Sequence, residues 1–393
     1  MRLAFLCSSL EPGRDGVGDY TRRLAGELIR QGHAGMAVAL HDPYVSNARM
    51  EQQEIEGTTL PVLRVPSTMP WNQRISETRN WLHGRQPDWM SLQFVPFGFH
   101  PRGLCFGLGK SLAALGATPN WHFMFHELWL GLGERSPVKN RCWGALQRWI
   151  ALDAVRRLRP KVVHTQAEPY RLALERVNIK ATILPLFGNI PQVTGDGWRD
   201  LLSPLLAKSR GAPPERKEFY LAGILGGVHP EWNAEDAVLA LMPLVQQFQK
   251  RLVLVFIGKN NVGAGTFDRL TARLKGRAEV VVTGERSAAQ ISILLQCLDL
   301  GLATTPLQVI QKSGSAAAML EHGLSLLVVR DDWHLRGAPR QSGIANSRLL
   351  TPQQFAQLKV LPVRDAGAIG NQAVRAVAEQ LLGSLSRSRA AQS

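Results

Sequence analysis

Residues 312–329 read KSGSAAAMLEHGLSLLVV, and this stretch decides the fold. A Lys and a Gly-Ser pair precede a run of small, helix-compatible residues; Gly323 stops the helix, and an apolar run rich in Leu and Val follows as a strand. A helix start at Lys312, Ser313, Gly314 and Ser315 offers N–H groups with no intrahelical partner, and such groups cradle phosphate oxygens. Glu321 stands two turns further on, where a carboxylate can accept hydrogen bonds from a ribose. A helix feeding a fully apolar strand, with anion chemistry at the helix start, is half of a βαβ unit.

The same alternation runs outward in both directions. Upstream, strands are predicted at Leu3 to Ser8, Met36 to Leu40, Leu60 to Val65, Trp89 to Phe94, Trp121 to His126, Lys161 to His164 and Thr182 to Leu186. A second series starts at Glu218 and includes Leu252 to Gly258, Glu279 to Val282 and Leu300 to Ala303. Between the two series, PQVTGDG and RGAPPERK supply turn residues and charge, the composition of an interdomain linker. The expected organisation is an N-terminal α/β domain over 1–190, a linker over 191–217, a C-terminal α/β domain over 218–365, an amphipathic helix over 366–385 and a polar tail over 386–393.

In open parallel sheets ligands bind beyond the carboxyl ends of the strands. After the first strand, Gly13, Gly16 and Gly18 are spaced GxxGxG, unlike the GxGxxG of a dinucleotide fingerprint, so a dinucleotide-dependent oxidoreductase is disfavoured. The helix start behind Gly16 and Gly18 is a candidate anion site. The strand WHFMFHELW delivers His126 and Glu127 to its carboxyl end, and a His there can hydrogen-bond a substrate hydroxyl or phosphate near neutral pH. In the second half, His229 follows Gly226-Gly227, Lys259 follows Ile257-Gly258, and Gly284 and Glu285 follow the strand ending at Val282.

Taken in order, GVGDYTRRLAGELIRQGH, FHELW, IGK, VVTGERSAAQISILLQCLDLGLATTPL and GSAAAMLEHGLSLLVVRDDW resemble the retaining glycosyltransferases of the GT-B fold, family 4. The resemblance covers nearly the whole chain. It implies two Rossmann-like domains facing across a cleft, with the C-terminal helix crossing back to the N-terminal domain. It further implies a hexosyltransferase-like enzyme that moves a sugar from a nucleotide-diphosphate donor to an acceptor hydroxyl, with retention and with neither metal nor cofactor. By the same resemblance His126 and Glu127 are catalytic, Gly16, Gly18 and His229 approach the donor, Lys259, Gly284 and Glu285 flank base and diphosphate, Lys312, Ser313, Gly314 and Ser315 bind phosphate, and Glu321 holds the ribose. Two positions depart from the family pattern. Ser313 stands where a Glu commonly contacts the donor sugar, and His229-Pro230-Glu231-Trp232 stands where one diphosphate-neutralising cation is expected. These departures keep open a catalytically altered GT-B protein that serves as a binding or scaffold partner, and a nucleotide-sugar epimerase also stays open.

Composition narrows the rest. The chain has 393 residues, 45% hydrophobic and 20% charged, so it is neither disordered nor a disulfide scaffold. Its four cysteines are far apart, and no early run reads as a signal peptide, so a cytoplasmic protein is expected, soluble or at the cytoplasmic face of the membrane, acting in envelope or exopolysaccharide glycan synthesis. The net charge of +15 is uneven: residues 135–180 carry eleven basic side chains against three acidic ones, a net +8. With Trp143 and Trp149 on a predicted helix, this stretch is a candidate contact for an anionic membrane, beside the plainer reading of a solvated face. Lipid-linked, glycan and small-molecule acceptors all remain open. No RNA- or DNA-binding signature accompanies the charge, and a nucleic-acid partner is not expected.

Overall fold

The structure, a computed structural model, describes residues 1–116, 120–210, 215–259, 265–339, 346–367 and 371–390. The chain divides into two compact units.

The first unit comprises Met1–Asn189 together with Leu335–Ala338 and Val374–Ser393. Its strands are β1 (Arg2–Cys7), β2 (Ala34–Asp42), β3 (Arg49–Ile55), β4 (Thr58–Pro66), β5 (Trp89–Phe94), β6 (Asn120–Phe125), β7 (Val162–Thr165) and β8 (Thr182–Ile183), in the sheet order β3-β4-β2-β1-β5-β6-β7-β8. Every neighbouring pair is parallel except β3 with β4. The central strands are continuous apolar runs because helices cover both faces. These helices are α1 (Gly16–Arg30), α2 (Trp71–His83), α3 (Pro96–Phe99), α4 (Leu108–Ala113), α5 (Val138–Leu158) and α6 (Glu168–Glu175).

Strand β3 was not expected. Its sequence, RMEQQEI, is polar because it lies at the sheet edge with only Gln53 and Ile55 buried. Glu56 and Gly57, at φ +50° and +76°, make the two-residue turn that returns the chain into β4.

The second unit comprises Ile190–His334 and Pro339–Ala373. Six strands, β9 (Phe219–Leu225), β10 (Arg251–Ile257), β11 (Glu279–Val282), β12 (Leu300–Ala303), β13 (Ser325–Val328) and β14 (Leu349–Leu350), form a fully parallel sheet in the order β11-β10-β9-β12-β13-β14. Its helices are α7 (Ser203–Arg210), α8 (Ala234–Gln247), α9 (Thr266–Arg273), α10 (Ala288–Cys297), α11 (Gly314–Glu321) and α12 (Pro352–Ala356).

The expected linker, 191–217, is corrected by its packing. Leu202 and Leu206 are buried in the core on one face of this sheet. The amide of Val193 donates to Ser292 Oγ (3.0 Å), and Gln296 Nε2 donates to the Val193 carbonyl (2.6 Å). Gly195 and Gly197 lie so close to Ile293 of α10 that a Cβ on either would fall 2.2–2.6 Å from it. The turn residues mark a segment pressed onto α10 rather than a tether; residues 211–214 lie outside the described residues.

The last helix, α13 (Asn371–Ala390), belongs from Val374 onward to the first unit. Val374, Val377, Ala378, Leu381 and Leu385 are buried at helical spacing, and Gln380 Nε2 donates to the Ile183 carbonyl (2.7 Å). The polar tail expected from residue 386 is helical to Ala390; residues 391–393 lie outside the described residues. Among the described residues no helix is long and apolar enough to cross a membrane.

Candidate functional site

In the first unit the candidate loops leave the carboxyl ends of β1 and β6. Asp15 caps α1, and its Oδ1 accepts from the amides of Val17 (2.9 Å) and Gly18 (2.7 Å). The amide expected at Gly18 for an incoming anion is therefore already bonded to a carboxylate. Burial pushes the Asp15 carboxyl up, against the pull of those two hydrogen bonds. Gly16 is exposed, and its carbonyl accepts from Asn189 Nδ2 (3.0 Å). Gly18 is buried against the chain: a Cβ there would fall 2.4 Å from the Ser9 carbonyl oxygen. Gly18→Ala is expected to cost about 1–3 kcal/mol in urea unfolding. Gly16→Ala, whose Cβ would meet only Asn189 Nδ2 at 3.9 Å, should stay within about 0.5 kcal/mol of the parent. Equal effects at the two positions would refute this reading of the loop.

His126 is 5% exposed, and both ring nitrogens are engaged: Nε2 lies 2.8 Å from Gln93 Oε1, and Gln166 Nε2 lies 2.9 Å from Nδ1. The amide oxygen of Gln93 can only accept and the amide nitrogen of Gln166 can only donate. This fixes the neutral tautomer with its proton on Nε2. Burial drives the His126 pKa down to about 3, with the Gln166 hydrogen bond a weaker opposing effect. Tyr20 packs edge-on against the ring at 4.9 Å and stacks on Phe187 at 4.5 Å.

The chain of polar contacts continues across the sheet. Gln93 Nε2 donates to Ser91 Oγ (2.6 Å), Ser91 Oγ lies 2.7 Å from His122 Nδ1, and His122 Nε2 lies 2.9 Å from His164 Nδ1. His126 is thus a member of a buried hydrogen-bonded row that runs from Gln166 to His164, held where β6 terminates; Glu127, half-buried, is the ionisable side chain that follows it.

In the second unit the expected residues gather at the carboxyl edge of the parallel sheet. Gly226, Gly258 and Gly284 follow β9, β10 and β11 with φ of +77°, +87° and +70°. The three loops are tied together: Gly226 N donates to the Ile257 carbonyl (2.9 Å), Gly258 N to Thr283 Oγ1 (3.3 Å), and Thr283 Oγ1 to the Gly284 carbonyl (3.1 Å). Lys259 and Glu285 are exposed on them; residues 260–264 lie outside the described residues.

Helix α11 is oriented by its contacts. At its C-terminal end the carbonyls of Leu320, Glu321 and His322 accept from Arg348 (2.9 Å), Gln192 (2.6 Å) and Arg364 (3.3 Å), satisfying acceptors that the helix itself leaves open. At its start Ser313 Oγ accepts from the Ala316 amide (3.3 Å) and lies 3.2 Å from Ser315 Oγ. The Gly314 and Ser315 amides precede the first intrahelical bond, Ala317 N to Ser313 O (3.0 Å), and so have no partner within the helix. Lys312 is half-buried beside it.

Sequence reading missed Arg330. It follows β13, is 6% exposed, and donates to Glu231 Oε2 (2.5 Å), both carboxylate oxygens of Asp332 (3.1 and 2.8 Å) and the Thr304 carbonyl (3.3 Å). The loop at His229 lacks the expected cation, yet a cation reaches the same place from β13. Burial lowers the pKa of His229, and Arg330 lowers it further. At Asp332 burial acts upward, but the Arg330 guanidinium overrides it and holds the carboxyl low. The available signal was the position of Arg330 directly behind an apolar strand.

No protein-family model matches the chain, and no curated protein matches its sequence. Solved structures do. HepE of Anabaena in complex with UDP matches at 15% identity and TM-score 0.60, over 98% of this chain and 100% of that one. The Escherichia coli trehalose-6-phosphate protein bound with UDP-2-fluoro glucose matches at 11% identity and TM-score 0.53, over 98% and 99%. The catalytic domain of starch synthase IV from Arabidopsis thaliana, bound to ADP and acarbose, matches at 13% identity and TM-score 0.51, over 99% of each chain. These likenesses establish the architecture, which is GT-B with parallel-dominated α/β sheets in both units.

Proposed function

We propose that this GT-B chain is a glycosyltransferase that moves a sugar from a nucleotide-diphosphate donor to an acceptor hydroxyl. The observation that carries the reading is the open start of α11, preceded by Lys312 and followed by Glu321, with Lys312 and Arg330 both acting on His229, in a fold whose solved neighbours hold UDP or ADP. The amides of Gly314 and Ser315 with Lys312 and Arg330 meet the diphosphate, Glu321 holds the ribose, and Lys259, Gly284 and Glu285 border the base. As the anomeric C–O bond to the diphosphate breaks, the acceptor oxygen bonds to the same carbon with retention, and its proton passes to a phosphate oxygen. Helix N-terminal amides and cations meet the charge that builds on the leaving group. His126, with both nitrogens bonded inside the protein, positions the β6 turn, and Glu127 is the group there that reaches substrate. Synthesis of an envelope or exopolysaccharide glycan at the cytoplasmic face of the membrane is the setting this reading fits.

Melting the protein with UDP-, GDP- and ADP-sugars tests it. A true donor at about 100 times its Kd stabilises by about 2.7 kcal/mol and raises the midpoint. Glu321→Ala is expected to weaken that donor at least about tenfold, the range of a lost hydrogen bond to a charged group. If no nucleotide sugar raised the midpoint or was consumed, the reading would fall. Ser313 and the two carboxylates on Arg330 favour a second outcome, donor binding without transfer to any acceptor, which would mark a binding partner instead of an enzyme.

A further inference from the structure

Helix α5 is apolar on two opposite sides. Gly144, Gln147, Ile150, Ala151, Ala154 and Leu158 face the unit's interior. On the other side Val138, Cys142, Ala145 and Trp149 follow one another at helical spacing, and Val138, Leu146 and Trp149 are 69%, 46% and 53% exposed. Trp149 is the exposed member of the chain's ten tryptophans. Phe106, 55% exposed on the loop between α3 and α4, lies against it with ring centroids 6.2 Å apart. A water-soluble helix has no reason to present this line of residues to solvent.

Beside this stripe is a pocket of about 560 Å³ whose lining includes Arg141, Arg148, Arg176, Arg336, Trp129 and Leu132 and, among the described residues, no Asp or Glu. All of its lining residues belong to the first unit. Arg176 is tied to the carbonyls of Arg336 and Gly337, and Arg336 to those of Gly131 (2.9 Å) and Gly133 (3.1 Å), so among the described residues the charge of both is met by neutral acceptors. Among the described residues Arg141 and Arg148 have no carboxylate partner. The wall is closely packed: a Cβ on Gly144 would fall 1.8 Å from the Leu130 carbonyl oxygen, so the chain at Leu130 lies directly on the helix. Among the described residues none of these four guanidinium groups meets a carboxylate, which suits the pocket to an anion, and the apolar lining and stripe suit hydrocarbon.

We propose that this face docks on an anionic phospholipid surface. The pocket takes a lipid phosphate, and Val138, Leu146, Trp149 and Phe106 lie at the boundary of headgroups and acyl chains. Nucleic acid offers phosphates but nothing for the exposed stripe. The pocket begins two residues past Glu127, at the carboxyl end of β6, so docking would bring a lipid-borne acceptor to that turn; this last step alone rests on the glycosyltransferase reading.

The test is co-sedimentation of the full chain with vesicles of phosphatidylcholine alone and of phosphatidylcholine mixed with phosphatidylglycerol. Binding is expected only to the mixed vesicles and is released by high salt. The pair Arg141→Ser and Arg148→Ser should lower it about 30-fold, and Trp149→Ser with Phe106→Ser at least about tenfold. Cys142 lines the pocket and is the exposed thiol of the four, so mixed vesicles should slow its alkylation. Equal binding to both vesicle types, variants that bind like the parent, unprotected Cys142, protection by inorganic phosphate without vesicle binding, or retention on RNA in place of vesicles would each overturn the proposal. Every variant is also melted with the nucleotide sugars. An unchanged donor response beside lost vesicle binding, or the reverse, separates failure here from failure of the proposed activity.

Discussion

Acidification from pH 7 to pH 5 is expected to strip several kcal/mol of stability from the first unit, through three histidines that must stay neutral. Burial lowers the pKa of His126 to about 3 and of His164 to about 4. His122 is driven well below its usual value by burial first, and then by His164 and His126. Arg387 on α13 adds to the effect at His164. In the unfolded chain all three titrate near 6.5. Below that pH the unfolded chain binds protons that the folded chain refuses, so stability is full above pH 6.5 and is lost as pH falls toward the folded values.

Each histidine contributes up to about 1.4 kcal/mol per pH unit, so three give about 4, against a total stability of about 5–15 kcal/mol for a typical domain. Burial raises the carboxyls of Asp15 and Asp19, which act in the opposite sense at the acid end and partly offset the loss. Urea unfolding followed by tryptophan fluorescence between pH 7.5 and 5 measures the slope. His164→Gln isolates the histidine share, because a Gln can still pair with His122 but cannot take up a proton. Its slope should fall by about a third, one titrating site of three. A flat profile in the parent, or an unchanged slope in the variant, would refute the account.

That histidine row also marks where sequence reading stops. His126 was legible because a strand pattern ending in His-Glu places those side chains beyond a parallel sheet. Its partners were not, because Gln93 and Gln166 come from the neighbouring strand and the segment after β7, 33 and 40 residues away. Only the register that sets Gln93 against Met124, and Met124 against His164, brings them onto one face. Alternation of apolar strands and helices was enough to specify two parallel α/β sheets, since that pattern is imposed by burial on both faces.

Elements held by other forces escaped. Strand β3 is secured by backbone pairing at an edge and needs no apolar code. The 191–217 segment has the turn residues of a linker, and Leu202 and Leu206 reveal their core role only once α10 lies beneath them. Arg330 escaped for the converse reason: a single cation after a strand has no period, and its meaning comes from Glu231, 99 residues away.

Replacing Arg330 by Ala is expected to raise the Kd for the preferred nucleoside diphosphate about 100-fold, the upper range for a charged hydrogen-bond donor. The unfolding midpoint should move by only a few degrees. The asymmetry follows from where the partners sit. Glu231 and Asp332 have side chains 68% and 39% exposed, so water solvates them once the guanidinium is gone, and the loss resembles that of a surface ion pair, about 1 kcal/mol. For a unit of this size that is about 2–4 °C. Anion binding has no such compensation. With His229 neutral, Lys312 and Arg330 only balance Glu231 and Asp332, and removing Arg330 leaves the cluster net negative at the proposed diphosphate site.

Arg330→Lys keeps the charge but not the fork that spans Thr304, Glu231 and Asp332, so its Kd should fall between the two. A structural role alone would instead lower the midpoint in both variants and leave Kd near the parent value. Loss of Arg330 should also raise the pKa of His229, because one of the influences holding it down disappears. Following the His229 ring by NMR through a pH titration reads this without any ligand. A Kd within twofold of the parent would remove Arg330 from the diphosphate site and leave the helix α11 amides and Lys312 to hold the anion alone.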